Sequence, residues 1–575
     1  MSDHGNIKFR GSFVTKKNIF SFTLFLMAFL APISNHAYAD KDATYTFEDV
    51  KYLYLKALDE TNKLQDNNFK FEENRDFSGA HLASITLYAS KDPTLALSIV
   101  ENVNDPIWSS KIHAILAKHF AETNQCEQAL AHIEQAKNKE FLEKIKTLER
   151  NLYISVASKK IIQAYTLCGQ VEDAENVLKL KDRMTHRNSC YDVAIKSIIA
   201  STLYTSGKHE LAQSYFFKAQ TIAHFIKRED DKVCPLTLMA KNEMDAGLLE
   251  KSNKTINKIT PPRARDILLR RLAVKYAKRS PKTGNYNTII ASPKNQDMSA
   301  LEQQSVYGFM DDVQFVKIKL QKIDELAPDK RLEKLRDLRE TLQNHNVNYG
   351  LILIGLAYHK YGETQHATLL LKGLITKFLG MHAYDMYSLK NKLQNAPNRW
   401  SVNYLNAALP AYLKVTGDTQ TVLEVLKTIE TQRDNFYSKS NEAYNRAYDF
   451  WYAWGALVGY SKLTDNGELE DKLKELLLDQ YDKDIVITYA IHFLMDIGNY
   501  TLAESLIEKV QSPQGRIHMY ISLANHKLGL PEWRTLEREI LNDELCVYSY
   551  PKTYKSHYTP FRCLQGGVLN NLTPF

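Results

Sequence analysis

The sequence predicts an all-α protein, a solenoid of about 11 to 12 antiparallel helix pairs stacked one on the next. Its 575 residues include 22 glycines and 16 prolines, about half of average usage, which disfavours a β-rich fold with many tight turns. It is 44% hydrophobic and 25% charged, as globular proteins are. A helix–turn–helix pattern recurs along most of the chain. Because each repeat adds its own core, the length does not require separate globular domains.

The first 39 residues predict a secretory signal peptide. Basic residues between Lys8 and Lys17 precede an apolar run, Ile19 to Ile33, and the small residues of Ala37-Tyr38-Ala39 suit a signal peptidase. Cleavage after Ala39 leaves a soluble periplasmic or secreted protein with no transmembrane span. A retained membrane anchor is the alternative, but the run is shorter than the ~20 residues of a span and Pro32 interrupts it.

The repeat unit is clearest in residues 196–222 and 348–377, where a turn glycine, Gly207 or Gly362, separates two helices with apolar residues at helical spacing. A small residue seven positions before each glycine and an alanine five positions after it let the two helices approach closely. The same template places turns near Lys91, Asn124, Gly169, Gly207, Gly247, Gly284, Gly362, Gly417, Gly467, Gly498 and Gly529. The interval between Gly284 and Gly362 is about twice the usual repeat length. It therefore predicts one degenerate repeat near residue 323.

The unit around Gly362 resembles a tetratricopeptide repeat. It has that family's small residue, aromatic residue, glycine and alanine at Gly355, Tyr358, Gly362 and Ala367. The resemblance covers residues 80–540 and is to divergent helical repeats, because the intervals vary around the family's length of about 34 residues. It implies a superhelix whose concave face, lined by the first helix of each pair, binds partner segments. The family's carboxylate clamp has no matching residues here, so no binding residue is carried over.

Departures from the repeat pattern divide the chain. Residues 281–300 are rich in Pro, Gly, Ser and Asn and predict a hinge. It separates an N-terminal helical-repeat lobe, residues 40–280, from a C-terminal lobe, residues 301–541. Residues 542–575 are rich in Tyr, Pro and Gly and predict a short non-helical tail, closed by a disulfide and docked on the last helices.

All six cysteines follow the predicted cleavage site, an even number in a compartment that permits disulfides. Their positions in the repeats favour the pairs Cys126–Cys168, Cys190–Cys234 and Cys546–Cys563. Free buried thiols are the alternative for the first four. A zinc site is disfavoured because the sequence has no short C-x-x-C pair.

Compact catalytic motifs are absent from the sequence: it has no G-x-S-x-G, P-loop, H-E-x-x-H, EF-hand loop or G-x-G-x-x-G. The histidines lack the spacing of a helical metal site, so neither a metal nor a cofactor is expected. An enzyme is therefore the less favoured class. The net charge of +7 falls when the basic signal peptide is removed, and it is too weak and dispersed for nucleic-acid binding.

Two segments are candidate partner-binding surfaces. For the basic helix within residues 263–282, a solvated helix face is the favoured interpretation, and a patch that binds an acidic protein or an anionic glycan is the alternative. For the aromatic segment within residues 400–460, a packed solenoid core is favoured, and a groove for sugar rings or peptide is the alternative. The candidate residues are Arg263, Arg270 and Arg271 in the first and Trp400, Tyr437, Arg446, Tyr452 and Trp454 in the second.

Two functions remain at this point. The favoured hypothesis is an exported, non-enzymatic scaffold for protein–protein interaction in the bacterial periplasm or envelope, because stacked helix pairs expose an extended binding surface. The alternative is a carbohydrate-active enzyme, a glycosidase or polysaccharide lyase, whose C-terminal half forms an α/α toroid. In that case Glu442 or Asp449 would act as catalytic acid or base.

Overall fold

The structure is a computed structural model. It describes residues 45–64, 69–104, 106–137, 153–154, 156–177, 187–227, 229–260, 306–344, 347–390, 400–437, 450–477, 483–530 and 545–546, and single helical positions between 265 and 276. The predicted signal peptide and hinge lie outside these residues.

The described residues form 22 helices, which confirms the prediction of an all-α solenoid. The helices are α1 (Phe47–Lys63), α2 (Phe69–Ser90), α3 (Pro93–Val100), α4 (Pro106–Glu122), α5 (Cys126–Ala136), α6 (Val156–Leu167), α7 (Val171–Asn176), α8 (Arg187–Thr205), α9 (His209–His224), α10 (Glu229–Asp245), α11 (Leu249–Ile256), α12 (Val306–Asp324), α13 (Pro328–Asn344), α14 (Asn348–Lys360), α15 (Thr364–Lys390), α16 (Trp400–Thr416), α17 (Thr419–Tyr437), α18 (Trp451–Leu463), α19 (Gly467–Leu477), α20 (Lys483–Asp496), α21 (Tyr500–Ile507) and α22 (Pro513–Lys527).

Two strands of two residues each, β1 (Tyr153–Ile154) and β2 (Leu545–Cys546), pair antiparallel. The second belongs to the predicted C-terminal tail. It therefore lies beside the segment that precedes α6, and the expectation that the tail docks on the last helices is wrong for these two residues.

Local sequence explains where helices begin. Thr46 and Asp49 form a capping box at α1, in which the Thr46 backbone N–H and hydroxyl both donate to Asp49 Oδ2 at 2.7 Å. At α3, Pro93 occupies the first helical position, and Asp92 accepts a hydrogen bond from the Thr94 N–H at 2.9 Å. These contacts satisfy backbone donors that have no partner inside the helix.

One turn geometry joins the two helices of most pairs. Gly207 has φ +84°, its N–H donates to the Tyr204 carbonyl at 3.1 Å, and the N–H of Lys208 reaches the Leu203 carbonyl at 2.9 Å. This is the Schellman pattern, in which a left-handed residue ends the helix. Positive φ also occurs at the predicted turn residues Lys91, Asn124, Gly169, Gly247, Gly362, Gly417, Gly498 and Gly529.

The remaining turn predictions have different outcomes. Gly284 lies outside the described residues. The prediction at Gly467 is wrong: this glycine begins α19, and Asp465, with φ +49°, ends the preceding turn. The degenerate repeat predicted near residue 323 is the pair α12 and α13, joined by a short turn in which the Leu326 N–H donates to the Ile323 carbonyl.

The two helices of a pair differ in burial. Every residue of α14 from Asn348 to Gly355 is buried, whereas its partner α15 leaves Leu369 64% exposed. Helices α8, α18 and α22 are buried like α14, and the outer partner α9 leaves Phe217 71% exposed. We call the first helices the inner row and the second helices the outer row.

The first and last of the described helices pack against each other. Tyr54 of α1 donates its hydroxyl proton to Asn525 Oδ1 of α22 at 2.7 Å, within the core. Arg516 of α22 donates from Nε and Nη2 to Glu60 Oε2 of α1 at 2.8 and 2.6 Å. A single hydrophobic cluster includes buried residues from both helices. Helices α1 and α22 are thus joined by apolar packing and by a partly buried ion pair.

Helix α1 also contacts the outer row. The Tyr52 hydroxyl donates to Glu504 of α21 at 2.8 Å, and the Lys56 ammonium donates to the same carboxylate at 3.2 Å. Helix α1 therefore packs against both α21 and α22. Among the described helices, packing runs from α12 to α22, continues into α1 and reaches α11 and the helical positions between 265 and 276. Helix α1 thus follows α22 in the stack, although it is the first described helix in the sequence.

Disulfides join neighbouring units. The predicted bond between Cys126 and Cys168 is confirmed, with a Cα–Cα distance of 5.5 Å between the first residue of α5 and the turn after α6. Cys234 is also disulfide-bonded, to a cysteine whose side chain is outside the described residues. Its pairing with Cys190, and that of Cys546 with Cys563, stay predictions.

Substituting Glu60→Gln tests the junction of α1 with α22. The substitution leaves the Arg516 guanidinium without a charged partner, and the two side chains are only 12% and 20% exposed. We expect a loss of about 2 kcal/mol in unfolding free energy, and faster hydrogen exchange in α1 and α22. Glu48→Gln is the matched control in the same helix, because Glu48 is 73% exposed and pairs only with Lys51; its cost is about 0.5 kcal/mol or less. Equal effects of the two substitutions would contradict a junction held by this ion pair.

Candidate functional site

The basic segment predicted from sequence packs against α10. Arg263 and Arg270 lie outside the described residues, but Arg271 and Lys275 are described, and Arg271 is half-buried. The Lys275 ammonium lies 3.3 Å from Asp245 Oδ1 at the end of α10. The described part of this segment is therefore not a fully solvated helix face.

Asp245 is the centre of a larger group of lysines from the inner row. Its other oxygen, Oδ2, lies 3.7 Å from the ammonium of Lys159 of α6, whose side chain is only 4% exposed. Lys241 stands one helical turn before Asp245, and Lys118 of α4 forms an ion pair with Glu122. We call this group the lysine cluster: Lys118, Lys159, Lys160, Lys241, Arg271 and Lys275, with Glu122 and Asp245 as its acids.

The crowding of positive charge changes the titration of the cluster. Burial, together with the charges of Lys118 and Lys159, lowers the pKa of Lys160 to about 7. Burial and Lys159 also lower the pKa of Lys241 well below its usual range. Both shifts follow from the cost of charging an ammonium group away from bulk water and beside like charges. Lys160 is therefore only about half protonated at neutral pH.

Asp245 responds in the opposite direction. Burial alone would raise the pKa of its carboxyl group, but Lys159, Lys241 and Lys275 outweigh burial and lower it. Asp245 therefore stays ionised. Among the described residues, the lysine cluster contains six basic side chains and two acidic ones. A further anion placed among these lysines would reduce their mutual repulsion, so the arrangement is suited to binding carboxylates or other anionic groups.

Sequence reasoning missed the inner-row lysines because they are far apart along the chain. A signal was nevertheless present. When the repeats are aligned on their turn residues, Lys118 and Lys241 both stand six positions before the turn, and Glu122 and Asp245 both stand two positions before it. The same lysine–acid pair thus occurs twice, on helices that the repeat pattern places in the same row.

The hypothesis that Tyr452 and Trp454 line an open groove is wrong. Both belong to α18, and their exposed fractions are 5% and 1%. The Tyr452 hydroxyl donates to Asp496 Oδ2 of α20 at 2.7 Å. The physical reason is that α18 is an inner-row helix enclosed on nearly every face, so residues off the expected core stripe are buried too.

The other aromatic candidates are not placed by the structure. Trp400 begins α16 and Tyr437 ends α17, and their side chains lie outside the described part of the chain. Arg446 lies outside it entirely. Their role in partner binding stays a prediction.

The described residues contain no group of three or more His, Cys, Asp or Glu side chains placed to hold a metal ion. One histidine pair is close: His113 Nδ1 lies 3.0 Å from His132 Nδ1. Burial, with a contribution from His132, lowers the pKa of His113 to about 4. In the same part of the chain, no helix has the length and apolar character needed to cross a membrane.

Comparison with known proteins gives no family. No family model and no curated protein matches the chain. One similar solved structure is Ton1535 from Thermococcus onnurineus NA1, 14% identical, with 80% of this chain and 95% of that chain covered and a TM-score of 0.17. Another is a circular tandem repeat protein with novel repeat topology, 12% identical, with 85% and 96% covered and a TM-score of 0.17. At these TM-scores neither likeness carries an argument about fold or function.

Substituting Lys160→Met tests the lowered pKa of Lys160. The unfolded chain holds this proton up to about pH 10.5, whereas the folded protein releases it near pH 7. The wild-type protein therefore gains stability, relative to the variant, as the pH rises between these values. We expect the stabilisation by Lys160→Met to be largest below pH 7 and to shrink toward pH 10, in urea unfolding midpoints measured across this range. Lys372→Met, on an exposed position of α15, is the control. A stabilisation by Lys160→Met that does not change with pH would rule out the shift.

Proposed function

We propose that this chain is an exported helical-repeat protein that binds an acidic protein partner through the lysine cluster and so acts as an interaction scaffold in the bacterial periplasm or envelope. The observation that carries the proposal is the convergence of partly buried basic side chains around Asp245, contributed by α4, α6 and α10 and by residues 271 and 275.

Export is supported by two independent features. The first is the sequence pattern of a signal peptide with cleavage after Ala39. The second is the disulfide between Cys126 and Cys168, since such bonds form and persist in oxidising compartments. A periplasmic or secreted location is part of the proposal.

The proposed binding step follows from the burial of the lysines. Packed helices fix the positions of these side chains, so little conformational entropy is lost when an anion binds. Carboxylates of the partner add negative charge beside these lysines and raise the protonated fraction of Lys160. Binding is therefore expected to weaken at high ionic strength and above the pKa of Lys160. No nucleic acid is proposed as a partner.

The double substitution Lys118→Gln and Lys160→Gln tests this proposal. The probe is a soluble Glu/Asp-rich peptide, with polygalacturonate as a separate anionic glycan, measured by calorimetry at about 50 and 300 mM salt. We expect peptide affinity to fall at least about tenfold in the variant, because interactions with charged groups are lost.

The matched control removes two exposed lysines of the outer row, Lys254→Gln and Lys472→Gln. It makes the same change in net charge and is expected to leave peptide affinity within about twofold of the wild type. Equal losses in both double variants would contradict binding at the lysine cluster. Binding of polygalacturonate without binding of peptide would replace the protein partner by a glycan.

The second proposed function is a carbohydrate-active enzyme with a toroid-like C-terminal half. Asp496 supports it, as an inner-row carboxylate that accepts a hydrogen bond from Tyr452, whose ring contacts the ring of Tyr489. The candidate acid or base residues, Glu442 and Asp449, lie outside the described residues. Since the scaffold is the favoured function, we expect no release of reducing sugar or unsaturated product from acidic or neutral polysaccharides. Release that Glu442→Gln or Asp449→Asn abolishes would establish the enzyme instead.

A further inference from the structure

A cavity of about 630 Å³ lies between α13, α14 and α15. It is built by a different set of helices from those of the lysine cluster. Its volume falls in the range of sites that bind small organic molecules, about 300 to 1,000 Å³. Its lining divides into a cationic part and an apolar part.

The cationic part contains a donor without a partner. The Arg339 Nε atom is buried, and no hydrogen-bond acceptor is in reach. Lys377 extends into the same cavity, where its ammonium donates one hydrogen bond to Asn348 Oδ1 at 3.0 Å. An ammonium group has three donors. An ionised oxygen in the cavity would lie beside both basic side chains, and the Lys377 ammonium would donate a hydrogen bond to it.

A histidine also belongs to the polar part of the cavity lining. His366 also lines the cavity, but its Nδ1 lies 2.8 Å from the Glu363 carboxylate. None of the described residues that line the cavity is an aspartate or glutamate. The positive charges of Arg339 and Lys377 are therefore not opposed within the cavity wall.

Leucines form the apolar part of the lining. Leu351 belongs to the inner row, and Leu370 and Leu374 of α15 follow the same face of that helix. Leu369, also part of the lining, is 64% exposed. Covering this surface with an aliphatic chain would yield about 25 cal/mol for each Å² removed from water.

We propose that this cavity binds a small amphipathic carboxylate, with its headgroup on Arg339 and Lys377 and an unbranched aliphatic tail along the leucines. Guanidinium and ammonium donors form their strongest hydrogen bonds with ionised acceptors. Charge complementarity thus orients the headgroup, and the leucines bind the tail without strict length selection. An alkyl sulfate shares this chemistry and is distinguished by the experiment.

Gly373 provides a steric test of the same site. It lines the cavity, and a Cβ atom built on it meets no other atom within 4 Å. Gly373→Leu is therefore expected to fill the cavity without a clash, and it replaces a helical glycine by a better helix former. Gly380→Leu is the matched control, because Gly380 lies on the same helix, has equally open surroundings and does not line the cavity.

The experiment measures binding of decanoate, decyl sulfate and decanol to the purified full chain by calorimetry. We expect decanoate to bind tightest and decanol at least about tenfold more weakly, because the alcohol lacks the charge. Arg339→Gln is expected to weaken decanoate binding at least about tenfold, and Gly373→Leu to abolish it without lowering the melting temperature. Arg336→Gln, at an exposed position of α13, and Gly380→Leu should bind as the wild type does.

Several outcomes would overturn the proposal. They are absence of decanoate binding, equal affinity for decanol, tighter binding of decyl sulfate, and unchanged binding in Gly373→Leu. The double variant Lys118→Gln and Lys160→Gln should retain decanoate binding, so this site and the proposed partner-binding surface succeed or fail independently.

Discussion

The pairing of α1 with α22 is the constraint on which the rest of the structure depends. Helices α1 and α22 are the first and the last of the described helices, and they cover each other's apolar faces. Arg516 and Glu60 fix the junction, and the Tyr54 hydroxyl donates to Asn525 Oδ1 inside it. Helices α22 and α2 therefore belong to one continuous core, although they are far apart in the sequence.

Enclosure of the inner row also accounts for the electrostatics of the protein. Because most faces of the first helices are packed, polar side chains that remain on them are held close together in fixed positions. Lysines there interact with one another more strongly than lysines on exposed helices would. Asp245 moderates the repulsion but does not cancel it, and the resulting positive region is a property of helices assembled in a row rather than of one basic helix.

Much of the fold could be predicted because its determinants are local. Turn residues such as Gly207 and Gly362 are recognisable from their spacing, and the cysteines at two such turns pair as their positions suggest. The prediction of the turn residue at Gly467 fails because Asp465, two positions earlier, adopts the left-handed conformation.

The features that escaped prediction are non-local. Periodicity within α18 does not reveal that its neighbours enclose Tyr452 and Trp454. The junction of α1 with α22 joins segments from opposite ends of the sequence and has no local signal. The cationic part of the cavity likewise depends on α13 and α15, which come together only when neighbouring helix pairs pack.

The contact of α1 with α22 also has a consequence for biogenesis. A chain that is synthesised from its N-terminus can pack α1 against α2 early, but the face of α1 that contacts α22 stays uncovered until α22 has been made. Products that terminate before α22 would therefore expose this face to proteases.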